Sequence, residues 1–321
     1  MNVPAVLVAA VALLATTIYA IFGGADFGGG VWDLLATGKL RRQQRGAVVT
    51  AIGPVWETNH IWIIFIIVLL FTCFPAAFAQ LSVALYVPLT IVTIGIVLRG
   101  AAFVFRGYAH EAAGTSFVWG RVFGTASVIT PLAYGASAGA VFTGTFNWHA
   151  PFALAIGVFA LAVCAQLAAV FLTCETQGDL QADFRIRALY ATITIAIVGA
   201  IALAIAGVSE ARVMHALLLP RGIAGIGAAM GAGIAVFAAL WNRRFVLART
   251  LVAVEVVAIL IGWYGAQAPY LIPGSLTFLE AAAPASTLTA FLWVLLGGAV
   301  LFIPSLLLLF AVFKGRNPAA E

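Results

Sequence analysis

Charge is what this 321-residue sequence has least of: Asp, Glu, Lys and Arg together make up 8% of it. A soluble domain carries about 25%, so a chain this poor in charge cannot clothe a globular surface with solvated groups, and a soluble fold is excluded. Cysteine is scarce as well. Cys73, Cys164 and Cys174 show no C-x-x-C spacing, which removes both a disulfide framework and a thiolate metal site and leaves packing as their role. No polar stretch is long enough to form a separate soluble domain between the apolar windows.

What is present is apolar. Hydrophobic residues fill 64% of the positions and the mean hydropathy is +1.13. Windows of membrane-spanning length recur from end to end, at about 3–36, 48–74, 81–105, 121–145, 152–174, 187–208, 221–241, 246–266 and 287–313. The expectation is an all-α, polytopic membrane protein of about nine transmembrane helices, forming a single transmembrane domain over residues 1–321. The first segment starts at Val3 with no basic residue before it and no small-x-small cleavage site before Asp26, so it reads as a retained helix. A net charge of +5 would hint at nucleic acid in a soluble chain; here its distribution argues for a membrane and against a nucleic-acid partner. With nine spans, fourteen of the sixteen basic residues fall on one side, and Arg212 and Arg221 alone fall on the other. The positive-inside rule then puts the N-terminus outside and the C-terminus in the cytoplasm.

Three acids interrupt the apolar runs. Pro54-Val55-Trp56-Glu57-Thr58-Asn59-His60-Ile61-Trp62 heads a stretch, residues 61–70, with no charged side chain. A helix entering the bilayer from about Ala51 would hold Glu57 roughly 9 Å inside its start, with Trp56, Asn59 and His60 on the same half of its circumference. An acid at membrane depth is costly unless it is paired or faces a polar interior, and it marks a functional site by default; the alternative is an interfacial cap. Asp26 lies among the glycines of Gly23 to Gly30, without an adjacent cation in the sequence. It reads either as a second intramembrane acid or as a residue of a hydrated, glycine-rich break. Asp33, near the basic loop of Lys39 to Arg45, reads as a solvated surface charge. Arg99, Phe103 and Arg106 share one helical face at i, i+4 and i+7; Arg99 lies within the inner edge of the hydrocarbon, where it either snorkels or pairs with Asp26 or Glu57. Glu255 falls near the middle of the eighth span and reads as part of a polar path or a lipid or quinone contact.

Four of these elements occur in order and at matching spacing: Gly24-Ala25-Asp26-Phe27-Gly28, the Pro54 to Trp62 segment, Phe74-Pro75, and Arg99 with Phe103 and Arg106. In this the chain resembles subunit II of the cytochrome bd-type quinol oxidases, most strongly over residues 20–106. It departs from the common pattern at Glu57, where Asp is usual, and at Asn59-His60, where Asn-Glu or a similar pair is usual. It is similar in this to a divergent, cyanide-insensitive-oxidase-like branch.

The resemblance implies a subunit of a terminal oxidase in the bacterial plasma membrane, which oxidises quinol and reduces oxygen to water. It implies a heterodimer with a larger subunit I that holds haem b and haem d, or a second b-type haem, and it leaves small accessory subunits open. Glu57 then takes the proton-path position with Asp26 as second carboxylate. Trp56, Asn59 and Trp62 orient it or pack beside the partner's haem pocket, and Arg99 and Arg106 hold the inner helix ends. His60 is a tempting metal ligand, but the family gives subunit II no haem ligand, so no metal is expected here and a hydrogen-bonded helix histidine is the better reading. On chemistry alone, a proton-coupled secondary transporter with its site at a broken first helix and Glu57 is the rival class. The link from Glu175 to Arg187 reads as a solvated loop. Trp148 with His149 reads as an interfacial anchor, and His110 with Glu111 and His215 with Arg212 as ordinary surface groups.

Overall fold

Every backbone polar group in an apolar solvent must find its partner within the chain, and for runs of 20 or more apolar residues only the helix achieves this. The computed structural model describes residues 3–53, 56–108 and 115–314, and within these gives the backbone alone at 52, 56–58, 108, 115–116, 306–307 and 309–314. Its elements in order are α1 (Val3–Leu34), α2 (Arg41–Ile52), α3 (Trp56–Cys73), α4 (Pro75–Ala84), α5 (Tyr86–Tyr108), α6 (Thr115–Thr143) and α7 (Pro151–Glu175). They continue with α8 (Gly178–Ser209), α9 (Ala211–Leu218), α10 (Pro220–Trp241), α11 (Phe245–Gln267), a hairpin of β1 (Tyr270–Ile272) and β2 (Leu276–Thr277), and α12 (Ala285–Lys314). Among the described residues eight helices are long and apolar enough to cross a membrane, nine if α3 and α4 count as one bent span.

The expected second span, 48–74, ends as expected next to Pro75 and differs from the structure at its start. Its first residues belong to α2, a separate helix rich in polar side chains, and the chain breaks at Gly53 before α3 starts at Trp56. Glu57 is therefore in the first turn of its helix and not two turns inside it. At the far end Pro75, which has no N–H to give, opens α4 with its axis turned by 119° from α3. The hairpin and its turn seal that end: Ala283 N–H donates to the Cys73 carbonyl at 2.8 Å. In the turn that follows β2 the Thr277 N–H and hydroxyl donate to Glu280 at 2.9 and 2.8 Å, which holds that carboxyl below the usual carboxylate range.

Short links make sequence neighbours antiparallel spatial neighbours, so α5 packs on α6, α6 on α7, α7 on α8 and α10 on α11. The expected loop from Glu175 to Arg187 is mostly helix. Two residues separate α7 from α8; Asp183 accepts from Arg187 and Gln44, and Arg185 donates to the carbonyls of Leu240 and Trp241. The three cysteines are free, with Cys73 and Cys164 buried.

Helix α1 is the axis of the bundle, in contact with α3, α6, α7, α11 and α12. It is helical without interruption from Val3 to Leu34, so its glycines make no break. They serve close approach instead. A Cβ on Gly28 would overlap the Cys164 carbonyl of α7, and one on Gly30 would overlap the Ser127 hydroxyl of α6. Small residues bring helix backbones together where lipid offers no hydrophobic drive to do so.

Gly28→Val is therefore expected to destabilise the protein by about 3 kcal/mol through overpacking, despite the better helix propensity of valine over glycine in a helix interior. The midpoint of thermal unfolding of the purified protein measures it; an unchanged midpoint would show that α1 and α7 do not pack as described.

Candidate functional site: an ion-pair ladder on the central helix

Two turns separate Asp26 from Asp33 on α1, and two turns separate Arg99 from Arg106 on α5. Seven residues rise about 10.5 Å, so two parallel helices carrying these pairs can form two rungs, and they do. Arg99 Nη2 and Nη1 donate to the two Asp26 oxygens at 2.7 and 2.8 Å, and Nη2 also donates to the Asp26 carbonyl at 3.0 Å. Arg106 Nη1 donates to Asp33 Oδ1 at 2.9 Å. Asp33 is fully buried and also has Arg45 at 3.9 Å, so it is a structural ion and not the solvated charge expected from its place beside the basic loop.

Arg99 is 1% exposed, the largest fully buried side chain among the described residues. Its Nε donates to Ser127 Oγ at 2.9 Å, and its guanidinium lies 5.1 and 4.8 Å from the ring centres of Phe27 and Phe123. Pairing with Asp26 is thus what occurs, and snorkelling does not. The bidentate geometry is the strong form of the carboxylate contact, and the two flanking rings add cation–π attraction. Ser127 is held by its own hydrogen bond to the Phe123 carbonyl, one turn from Pro131, whose missing N–H leaves the Ser127 carbonyl without its usual helical donor. Sequence reasoning passed over Ser127 as one small residue among many. It also passed over Gln44, which is 2% exposed and joins Thr37 of the α1–α2 turn to Asp183 of α8.

The α3 side of the site rests on Asn59, which is buried and donates through Nδ2 to the Phe22 carbonyl at 3.4 Å. Since α1 and α3 run antiparallel, this contact sets their register. It places the Glu57 backbone about 3 Å from that level and the Asp26 backbone about 6 Å, toward the same end. The side chains of Trp56 and Glu57 lie outside the described residues. His60 faces Tyr19 and Phe27, with ring centres 6.5 and 6.1 Å away, and neither of its buried nitrogens has a hydrogen-bond partner among the described residues. The hydrogen-bonded histidine expected from the sequence is therefore not found. Trp62, half-buried, meets Phe65 edge-on, and Phe103 packs against Phe123, 5.8 Å between ring centres.

Glu255 lies at the middle of α11, 4% exposed and far in the chain from these groups. Its partner is Gln166, whose Nε2 donates to Glu255 Oε2 at 2.9 Å and to Thr192 Oγ1 at 3.1 Å. The structure thus separates Glu255 and its amide from the ladder, on α7, α8 and α11. Among the described residues no three His, Cys, Asp or Glu side chains converge as metal ligands, and the rings of Tyr19 and Phe27 close over His60.

Long apolar helices around an internal ladder of ion pairs define a multi-pass membrane protein of the kind found in bacterial plasma membranes. The family model for cytochrome bd terminal oxidase subunit II matches residues 4–313, and the chain belongs to that family. It is 30% identical over 171 residues to cytochrome bd ubiquinol oxidase subunit 2 of Bacillus subtilis, covering 49% of each chain. It is 26% identical over 204 residues to cytochrome bd-I ubiquinol oxidase subunit 2 of Escherichia coli K12, covering 56% of this chain and 52% of that one. The chain thus spans about half the length of the curated relatives it matches. A chain of the bd oxidase from Geobacillus thermodenitrificans shares the fold with a TM-score of 0.73 at 18% identity, over 98% of this chain and 100% of that one.

Breaking a buried pair leaves an uncompensated charge, at a cost of about 3–5 kcal/mol. Asp26→Asn and Arg99→Met are each expected to lower unfolding stability by that order, and the double variant by less than the sum. A double-mutant cycle on thermal stability reads the coupling; single costs under about 1 kcal/mol would deny the pair its structural role.

Proposed function

We propose that this chain is subunit II of a bd-type quinol:oxygen oxidoreductase, a single membrane domain with its N-terminus outside and C-terminus in the cytoplasm. Its partner is a larger subunit I that binds haem b and haem d, or a second b-type haem. Those haems, when bound, supply the electron transfer from quinol and the four-electron reduction of oxygen to water. Small accessory subunits can join the complex. Family membership supports this reading, as does the similarity to the ubiquinol oxidase subunits of Bacillus subtilis and Escherichia coli.

The part of this chain is to carry protons from the cytoplasm. Glu57 takes up a proton at the first turn of α3, with Asp26 as the second carboxylate on the cytoplasmic side of it, and the polar face of that helix, with Asn59 and His60, passes the proton inward. Trp56 and Trp62 flank the route, and Arg99, Phe103 and Arg106 keep the adjoining helices in register. The observation that carries this is the polar strip where α1 meets α3. In an otherwise apolar helix, His60 offers two buried nitrogens without a protein partner, next to Asn59 and inward of Glu57. A neutral imidazole can accept a proton at one nitrogen and release it from the other, and a carboxylate at the mouth is a suitable donor. The transporter alternative loses its basis, since α1 has no interruption on which to build a substrate site.

In the purified complex Glu57→Gln is expected to keep the haem absorbance bands and to lower quinol oxidase turnover by about tenfold or more. Full turnover with the complex intact would place the route elsewhere. Full turnover after loss of both Asp26 and Glu57 would leave this subunit a role in assembly only, and a purified complex without haem bands would favour a transporter.

A further inference from the structure

By the charge distribution of the sequence Arg212 and Arg221 fall opposite the other fourteen basic residues, and the fold brings these two to one place. Both line a cavity of about 190 Å³ between α9, the start of α10 and the β1–β2 hairpin, together with His215, Gln267 and Tyr270. Arg212 is seated by the backbone. Gly144 and Gly274 both have left-handed φ, 73° and 77°, and a Cβ on Gly274 would overlap the Arg212 guanidinium, while one on Gly144 would lie 3.2 Å from its Nη1. Among the described residues Arg212 has no hydrogen bond or ion pair. Arg221 donates Nη2 to the Ala268 carbonyl at 2.6 Å. The nearest acid in sequence, Glu210, pairs with neither arginine.

The surroundings are apolar. Helix α9 turns Val213 into a cluster with Phe142, Phe152 and Ala266 and leaves Arg212 and His215 outward, so it is an amphipathic helix joining two spans. Such a helix lies in the plane of the membrane surface. Leu218 and Ile223, next in sequence to the cavity's Leu219 and Arg221, are 59% and 55% exposed and give apolar surface at the start of α10. Two fixed cations in a concave site at headgroup depth, with apolar surface leading from it into the hydrocarbon, match a singly charged phosphate ester carrying acyl chains.

We propose that this pocket binds the phosphodiester of an anionic phospholipid. Arg212 and Arg221 hold the phosphate oxygens, and the acyl chains run along the exposed side of α10. Free phosphate would satisfy the same cations but would leave the apolar wall unused. The inference does not rest on the oxidase reading, and its failure would leave that reading intact.

The test uses the full protein, purified with whatever subunit accompanies it, stripped of lipid in detergent, and titrated by native mass spectrometry. Phosphatidylglycerol, phosphatidylcholine and inorganic phosphate are compared. The unaltered protein is expected to bind phosphatidylglycerol in preference to phosphatidylcholine. Arg212→Gln and Arg221→Gln should each weaken phosphatidylglycerol binding by about fivefold, and Arg243→Gln on the opposite face should leave it unchanged. Gly274→Ala, which displaces the Arg212 guanidinium and keeps its charge, should weaken binding as Arg212→Gln does. Equal binding of the two lipids by the unaltered protein would overturn the proposal without any variant. So would indifference to both arginine changes, or Arg212-dependent binding of inorganic phosphate with no lipid bound.

Discussion

A guanidinium with 1% of its surface exposed, inside a bundle that itself sits in lipid, can persist only if every donor is answered. Arg99 is answered by both Asp26 oxygens, the Asp26 carbonyl, Ser127 and two aromatic rings. This demand reaches outward through the structure. The pairing ties α5 to α1, the serine brings in α6, and Gly30 must lack a side chain for Ser127 to stand where it does. The second rung, Asp33 with Arg106, repeats the arrangement two turns on and draws Arg45 of α2 to the same carboxylate.

Polarity inside the bundle is confined to a few such places. The ladder joins α1, α5 and α6 at the basic end, and the Gln166, Thr192 and Glu255 cluster joins α7, α8 and α11 deeper in the other half. The two differ in kind. The ladder cancels charge with charge, whereas Glu255 has an amide and no cation. Between them the α1–α3 contact holds Asn59 and the unpartnered imidazole of His60, the interior position best suited to hydrogen-bond exchange. Proton movement needs groups whose bonds can be remade. The ladder fixes helices through its ion pairs, although Asp33 Oδ2 has no hydrogen-bond partner among the described residues.

The close packing of α1 on α7 accounts for why such groups can be neighbours at all. With Gly24 and Gly28 against Leu167 and Cys164, the helix axes approach more nearly than larger side chains allow. Side chains of ordinary length then reach across the interior. The same economy of side chain is used at the opposite membrane face, where Gly144 and Gly274 admit the Arg212 guanidinium.

Much of the architecture was legible without coordinates. Apolar windows of spanning length can only be helices in lipid, so composition determined the class and about how many spans there are. Asp26, Glu57, Arg99 and Glu255 stood out because a charged residue among apolar ones is costly wherever it ends up. Tertiary structure decided how the cost is met for Asp26, Arg99 and Glu255. Asp33 looked solvated because its sequence neighbours are basic, yet its burial is set by α5 lying alongside, 73 residues away in the chain. Neither Ser127 nor Gln44 carries a local signal, because a hydroxyl or an amide acquires its role from the ion it meets. A sequence records which residues cannot be left alone; only the fold records which partner reaches them, since that depends on distances between segments remote in the chain.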